Sequence, residues 1–507
     1  MKRLGFWTPA LLAGGALHTA SFAPLEWWPL QILAVALLAA GVQGAAPRLA
    51  AWRGFVFGFA WLSSGLWWLY ISMHEYGGMP ALLAAPAVAL LAAALSLYLA
   101  GAMALVAWCR PTSPTATALA FTGAWLLAEL ARAQWLTGFP WIASGYAHSS
   151  GPLAGLAPWI GVYGIGAVAA LLAATLAACL RPVAGAGRPW ALLALALLLP
   201  GLPALAPREF TVSTGTLHMS LLQPNVPQDL KFDPDRIAAD MAALQVQLHA
   251  ARGQLVVTPE SVLPVPRDRL DEGYWQQLTA PFRAGGRAAL IGTFLGNDND
   301  GYVNSVVGVS PAGGDGYTYG KRHLLPFGEF VPPGFRWFVD LMQIPLGDQA
   351  RGHREAPFTV GAQRLRPLVC YENLFGEDMA ASVGEGPQAA TILVNVSNLA
   401  WFGRWMVQDQ DLQFSRLRAL EFQRPLVRAT NTGSTAVVDH RGVVTARLPA
   451  ETQATLDVAV EGRRGATPYA RWLGAAGLWP LWAVALACVM AAVAARAAPW
   501  RRRGPGG

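Results

Sequence analysis

Three strand ends in the second half of this chain carry reactive side chains. Gln254-Leu-Val-Val-Thr-Pro-Glu260 delivers a carboxylate, the loop Tyr319 to Pro332 an ammonium at Lys321, and Arg366-Pro-Leu-Val-Cys370 a thiol. A buried strand running into a sharp turn is where a nucleophile is usually displayed. A carboxylate near that thiol can accept its proton as general base, and a nearby ammonium can stabilise the thiolate and a developing oxyanion. Together Glu260, Lys321 and Cys370 predict acyl transfer through a thioester, which divides one difficult exchange into two easier steps. Taken singly, each has a plainer reading: a surface or helix-capping glutamate, a solvated loop lysine and a sheltered structural thiol. Spacing alone does not bring the three together.

Cys370 stands apart from the other cysteines. Cys109, Cys179 and Cys488 lie in or at the end of long hydrophobic stretches, where a thiol behaves as a small apolar residue. Cys370 therefore has no disulfide partner in its own domain, and chemistry is its leading explanation. His323, His353 and His440 fall in the same part of the chain but in no recognisable Cys-His context. No Cys or His pair has ligand spacing, so neither metal nor cofactor is expected.

The elements that must position these residues belong to a membrane protein. The 507 residues are 54% hydrophobic and 13% charged, too apolar for an ordinary soluble chain. A spanning helix needs about 20 apolar residues. Seven candidates precede the polar region, near 5 to 23, 27 to 45, 54 to 73, 80 to 108, 115 to 136, 155 to 180 and 189 to 206. An eighth runs from 472 to 495. The seventh is weakened by Pro200, Pro203 and Pro207. The first has signal-peptide features, but its length and the span that follows favour retention. The chain thus divides into an N-terminal bundle (1–207), a globular domain (208–466) and a C-terminal helix with an Arg-rich tail (467–507).

Positive charge falls on alternate connections: Lys2 and Arg3, Arg48 and Arg53, Arg110, Arg181 and Arg188, and Arg501-Arg502-Arg503. The positive-inside rule then puts both termini in the cytoplasm and the globular domain outside it. The net charge of +7 is explained largely by these loops, and no basic-aromatic array suggests nucleic acid. A lone thiol in an exported domain implies a task, because oxidising compartments favour paired cysteines. Most of the tryptophans fit interfacial belts. The loop Trp401-Phe-Gly-Arg-Trp405 could instead dip into the outer leaflet. Glu129 and Arg132, one helical turn apart, read either as an intramembrane functional site or as a simple ion pair with a snorkelling arginine.

Within the globular domain, runs at 217–222, 254–258, 288–294, 303–309, 365–369, 390–396, 426–430 and 435–439 read as strands. Helical patterns at 234–252 and 411–422 lie between some of them. Such alternation predicts a layered α/β domain with its site at strand ends.

Pro259-Glu-Ser261, Gly320-Lys-Arg-His-Leu-Leu-Pro-Phe-Gly-Glu-Phe-Val-Pro332, Val369-Cys-Tyr-Glu372, Asn395-Val-Ser-Asn398 and Arg428-Ala-Thr-Asn-Thr-Gly433 occur in that order. The combination resembles the nitrilase superfamily and, within it, the apolipoprotein N-acyltransferase family. Thr137-Gly-Phe-Pro-Trp141, Gly151-Pro-Leu-Ala-Gly155 and Gly161-Val-Tyr-Gly164 extend the resemblance into the membrane part. It implies an αββα sandwich on about eight transmembrane helices in the bacterial inner membrane, facing the periplasm. In that family a cysteine takes an acyl chain from a phospholipid, typically phosphatidylethanolamine, and passes it to the diacylglyceryl cysteine of an apolipoprotein. Glu260 would be the base, Lys321 the oxyanion stabiliser and Cys370 the nucleophile, with Glu329 orienting Lys321. Tyr371 and Glu372 would shape the pocket, and Phe232, Pro332 and Trp401 would support substrate binding. Phe232 stands where the family has a tryptophan and Leu399 where an acidic residue is frequent. A monomer without cofactor is expected. A membrane-tethered amidase would use the same trio with water as acceptor, and a transporter or receptor would leave the trio unexplained.

Overall fold

The computed structural model describes residues 2–181, 188–199, 201, 209–334, 336, 348–353 and 356–501, with no side-chain statement for 2–5 and 496–501. Pro200, Pro203, Pro207, Gly347, Arg502 and Arg503 lie outside the described residues. Two compact units emerge, one of residues 1–69, 81–208 and 475–507, the other of residues 70–80 and 209–474.

Helices in the first unit form at the predicted apolar segments: Lys2–Thr19, Trp28–Val42, Pro47–Gly65, Ala81–Cys109, Pro114–Gln134, Ala157–Leu180, Trp190–Leu198 and Trp479–Arg501. By length and composition, Ala81–Cys109 and the stretch Pro152–Leu180 can cross a membrane. The count rises to four if two bent helix pairs each count as one span. Trp28–Val42 falls short with 15 residues, and nine are described in Trp190–Leu198. Small residues let the helices approach. A side chain at Gly54 would meet the Leu99 carbonyl and Met103, and one at Gly123 would meet Ala485 and Cys488.

Glu129 and Arg132 are both buried and 3.8 Å apart, so Arg132 does not snorkel. Its guanidinium donates to the carbonyls of Phe139 and Trp141 at 2.9 and 2.8 Å, while Glu129 accepts from the Ser144 amide and hydroxyl at 2.7 and 2.9 Å. The pair clamps an irregular segment whose backbone groups need partners inside an apolar bundle.

The second unit is built on two six-stranded sheets. The first runs β12 (Ala454–Gly465), β1 (Thr211–Gln223), β2 (Leu255–Val257), β3 (Ala288–Asn297), β4 (Gly301–Ser310), β5 (Gly314–Gly320). The second runs β11 (Val444–Arg447), β10 (Ala436–Val438), β9 (Leu426–Thr430), β8 (Ile392–Ser397), β7 (Gln363–Val369), β6 (Phe358–Val360). All eight predicted strands form. β5, β6, β11 and β12 add to them.

Side-chain alternation decides the layering. On β3, Ala288 and Leu290 join Leu255, Val257, Val394, Val396 and Val427 in the core between the sheets. Ala289 and Ile291 point the other way, into a second core with Leu244, Leu248, Trp275 and Phe282. Those four come from helices Pro234–Ala250 and Glu272–Ala284 on the outer face of the first sheet. Helix Val407–Phe422 covers the second sheet against β9 and β10, which completes an αββα sandwich.

Candidate active site

Glu260 follows β2 after Thr258 and Pro259. The chain there crosses β3 so closely that a side chain at Gly292 would strike the Pro259 carbonyl and the Glu260 Cα. Thr258 fixes the crossing, its Oγ1 accepting from the Gly292 amide at 2.9 Å. Lys321 follows β5, with its amide bonded to the Asn304 carbonyl of β4 at 2.8 Å and its own carbonyl accepting from Gly352 at 2.7 Å. Cys370 follows β7 in a left-handed conformation, φ +51. Such backbone strain in a non-glycine residue persists only where the surroundings hold it, and it turns the side chain out of the strand.

Glu372 provides that hold. Its carboxylate reaches back to the Val369 amide at 2.8 Å, as the third residue of a turn bonds to the residue before it. It also accepts from the Tyr319 hydroxyl at 2.7 Å and from the amides of Arg322 and His323 at 2.7 and 3.4 Å. One buried carboxylate thus ties the turn bearing Cys370 to the loop bearing Lys321. Asn373 anchors the same turn to helix Val407–Phe422, donating to Asp411 and Ser415 at 3.2 and 2.9 Å. Asn395 donates to the Cys370 carbonyl at 3.2 Å.

The charges converge on Lys321, which is buried. Its Nζ lies 2.7 Å from Glu329 Oε1 and 3.4 Å from Glu260 Oε1. Asn304 Nδ2 donates to both carboxylates, at 2.7 Å to Glu260 and 3.3 Å to Glu329. The Asn398 amide takes the other Glu260 oxygen at 2.8 Å, and the Leu325 amide the other Glu329 oxygen at 2.8 Å. Burial alone would discharge Lys321, but Glu329 and Glu260 outweigh it and raise its pKa, so it stays an ammonium. Burial raises the Glu329 carboxyl, with Lys321 pulling it back and Glu260 adding to the rise.

The Cys370 thiol is half-buried by accessible surface, and its pKa is pushed well above the ordinary range. Burial is the main cause, Glu260 adds to it, and Lys321 and the Ser397 hydroxyl oppose it. The resting sulfur is therefore a protonated thiol that needs a base at the moment of attack. The Glu260 carboxylate, held by three donors, lies within electrostatic reach of the sulfur. A group of this composition can form and break an acyl thioester.

Four of the remaining sequence-derived residues surround this centre in different ways. Glu329 and Glu372 are integral to it. Tyr371 is buried beside the nucleophile with its ring edge-on to Phe375 at 5.2 Å. Pro332 lies three residues past Glu329, half-buried in the loop. Phe232 and Trp401 are partly exposed on the unit surface, 45% and 37%, with ring centroids 6.5 Å apart; Tyr76 meets Trp401 at 5.8 Å. His323 is engaged with Asp378 at 2.5 Å and stacks on Phe375, and His440 lies 3.6 Å from Glu209.

Sequence reasoning missed Tyr319, Asn304 and the Asn398 amide. Asn304 carried a signal, an amide side chain inside the apolar run Val303–Val309, because a buried polar group needs a partner worth its desolvation.

Two family models match the chain, the apolipoprotein N-acyltransferase N-terminal domain over residues 14–175 and carbon-nitrogen hydrolase over residues 225–469. An apolipoprotein N-acyltransferase of Verminephrobacter eiseniae is 46% identical over 508 residues, covering 94% of each chain. That of Ralstonia nicotianae is 46% identical over 486 residues, covering 93% of this chain and 91% of the relative. A CN-hydrolase superfamily protein of Xanthomonas campestris, a solved structure, is 18% identical with a TM-score of 0.38, covering 52% of this chain and 96% of that one. With near-complete overlap at this identity, and a carboxylate, ammonium and thiol gathered at the strand ends, the chain belongs to the apolipoprotein N-acyltransferase family.

Proposed function

We propose that the chain moves an acyl group from a membrane phospholipid to Cys370 as a thioester, then to the α-amino group of the diacylglyceryl cysteine of an apolipoprotein. The observation that carries this reading is the Cys370 thiol held at a strained strand end within the fields of Glu260 and Lys321. In the first step Glu260 takes the thiol proton as sulfur attacks the ester carbonyl, and Lys321 stabilises the oxyanion. The ester C–O bond breaks, and Glu260 returns its proton to the departing lysophospholipid oxygen. In the second step the acceptor amine attacks the thioester. Glu260 takes the amine proton and passes it to the leaving Cys370 sulfur, which restores the thiol.

Glu329 orients Lys321, Glu372 and Tyr371 shape the turn, and Pro332 lies in the Lys321 loop. The exposed rings of Phe232 and Trp401 offer an apolar surface for acyl chains. Phosphatidylethanolamine is the expected donor and the working form is a monomer without cofactor. The bundle (1–207) and final helix (467–507) cross the inner membrane eight times, with both termini cytoplasmic and the catalytic domain (208–466) in the periplasm. The alternation of Arg48, Arg53, Arg110, Arg181 and Arg188 supports this orientation. The bundle suits a reaction whose donor and acceptor are both membrane lipids.

The test follows a labelled acyl chain from phosphatidylethanolamine. Label should reach the protein first and a diacylated lipopeptide amine second, with neither event in Cys370→Ser. Release of label to water alone would make the chain a hydrolase and overturn the reading.

A further inference from the structure

The turn from Val226 to Phe232, ahead of helix Pro234–Ala250, carries two buried donors that the acyl-transfer steps do not use. Their orientation is dictated by a relay of amides. Asn431 is pinned by the backbone of Val226, its Oδ1 accepting from the Val226 amide at 3.0 Å and its Nδ2 donating to the Val226 carbonyl at 2.8 Å. That Nδ2 also donates to Asn398 Oδ1 at 3.1 Å, so Asn398 must present its own Nδ2 onward, to Gln228 Oε1 at 2.7 Å. An amide bears one acceptor and one donor branch, and the Gln228 branch left over is therefore the NH2. Gln228 is 5% exposed, and its Nε2 has no acceptor among the described residues.

Lys231 repeats the pattern. It is 5% exposed, and among the described residues its Nζ has Ser261 Oγ as acceptor, at 2.9 Å. An ammonium has three N–H donors, and burying one with a single acceptor is costly. Burial pulls its pKa down to about 8 while Glu260 opposes the fall, so it is still mostly charged at neutral pH. Both groups flank the base. Asn398, bonded to Gln228, gives its amide to Glu260, and Ser261, bonded to Lys231, follows Glu260 in the chain.

A cation and an amide NH2 with unfilled donors fit an anion with several acceptor oxygens. The phospholipid donor has such a group, a phosphodiester a few covalent bonds from the ester that is attacked. The diacylglyceryl cysteine acceptor has none. We propose that Gln228 and Lys231 form the recess that receives the donor's phosphate oxygens, an inference that rests on the acyl transfer proposed above. The recess then serves the first half-reaction and not the second.

Purified full-length protein separates the steps. Thioester formation is followed from phosphatidylethanolamine and from p-nitrophenyl palmitate, an ester without phosphate; transfer from the preformed thioester to a diacylated lipopeptide is followed apart. Lys231→Met should raise KM for phosphatidylethanolamine by roughly ten-fold or more, the worth of one charge-assisted hydrogen bond. Gln228→Leu should act in the same direction, and Lys231→Arg should retain part of the selectivity. Loading from the nitrophenyl ester and the transfer step should change little in these variants, which also shows that they fold. Equal losses with both donors would make Lys231 a positioning residue for Ser261 and Glu260 and overturn the proposal; so would no change with either. Millimolar inorganic phosphate that slows nitrophenyl-ester loading in the wild type but not in Lys231→Met, together with an unchanged KM for phosphatidylethanolamine in that variant, would assign the recess to a free anion and overturn it as well. A wild type that never loads from phosphatidylethanolamine would instead sink the underlying acyl-transfer reading.

Discussion

Replacing Glu372 by Gln changes one oxygen to an NH2 and should disable the site without touching the reacting atoms. The carboxylate accepts at one oxygen from Arg322 and His323 and at the other from Val369 and Tyr319, and it is 1% exposed. Gln keeps one acceptor oxygen. Its NH2 must face either the Arg322 and His323 amides or the Val369 amide, all of them donors. The less costly choice puts NH2 toward Tyr319, whose hydroxyl can turn to accept, and leaves the Val369 amide buried and unpaired. That orphan costs about 1–3 kcal/mol, and losing the charge from the remaining bonds about 1 kcal/mol each, for a total of about 4 kcal/mol. Val369 adjoins the nucleophile and Arg322 adjoins Lys321, so relaxation shifts both reacting groups. A displacement near 1 Å costs about 100-fold in rate. Single-turnover thioester formation should fall by that order and the thermal midpoint in detergent should drop. Tyr319→Phe, which removes one bond and orphans no donor, should cost about 1–2 kcal/mol. Wild-type turnover and stability in Glu372→Gln would refute the claim that this carboxylate joins the two loops.

Glu329→Gln should slow thioester formation by about 100-fold, the loss typical of one oxyanion-stabilising contact, because Lys321 is then free to close on Glu260 and consume the base. Stopped-flow loading from a chromogenic ester measures it. Lys231→Met should gain stability even as it loses activity with phospholipid. The folded pKa of about 8 lies below the ordinary 10.5, so the unfolded chain binds more protons between those values and stability rises with pH there. Below pH 8 the full penalty applies, about 3 kcal/mol at 1.36 kcal/mol per pH unit. After loss of the bond to Ser261, about 2 kcal/mol should return at pH 7, readable as a raised thermal midpoint. In the bundle, Arg132→Met should cost about 3–5 kcal/mol by leaving Glu129 buried without its cation, and adding Glu129→Gln should recover part of it in the same melt.

Glu260 and Cys370 were legible because each follows a strand that shows in the sequence as a run of Leu and Val, and Lys321 because it opens an otherwise apolar, turn-rich loop. The supporting contacts were less so. Tyr319 in β5 and Glu372 in the turn after β7 meet across 53 residues of sequence, a pairing no local pattern encodes. Lys231, in Leu-Lys-Phe-Asp, reads as a solvated lysine ahead of a helix cap, and only the fold of the turn onto Ser261 buries it. β5 was missed because three glycines and Asp315 leave only Tyr317-Thr318-Tyr319 as β-favouring residues in Gly314–Gly320. β12 was missed although Leu456, Val458 and Val460 recur at every second position, and it pairs with β1 along eleven positions. The Glu129–Arg132 spacing was visible, yet its role as a clamp depends on where the Phe139–Ser144 segment returns.

The most direct measurement is mass spectrometry of the peptide containing Cys370 after incubation with phosphatidylethanolamine and no acceptor. The reading predicts the mass of one acyl chain on Cys370, removed by hydroxylamine as a thioester is, lost on adding a diacylated lipopeptide amine and absent from Cys370→Ser. An unmodified Cys370 in protein that still acylates the lipopeptide, or the acyl chain on another residue, would contradict it.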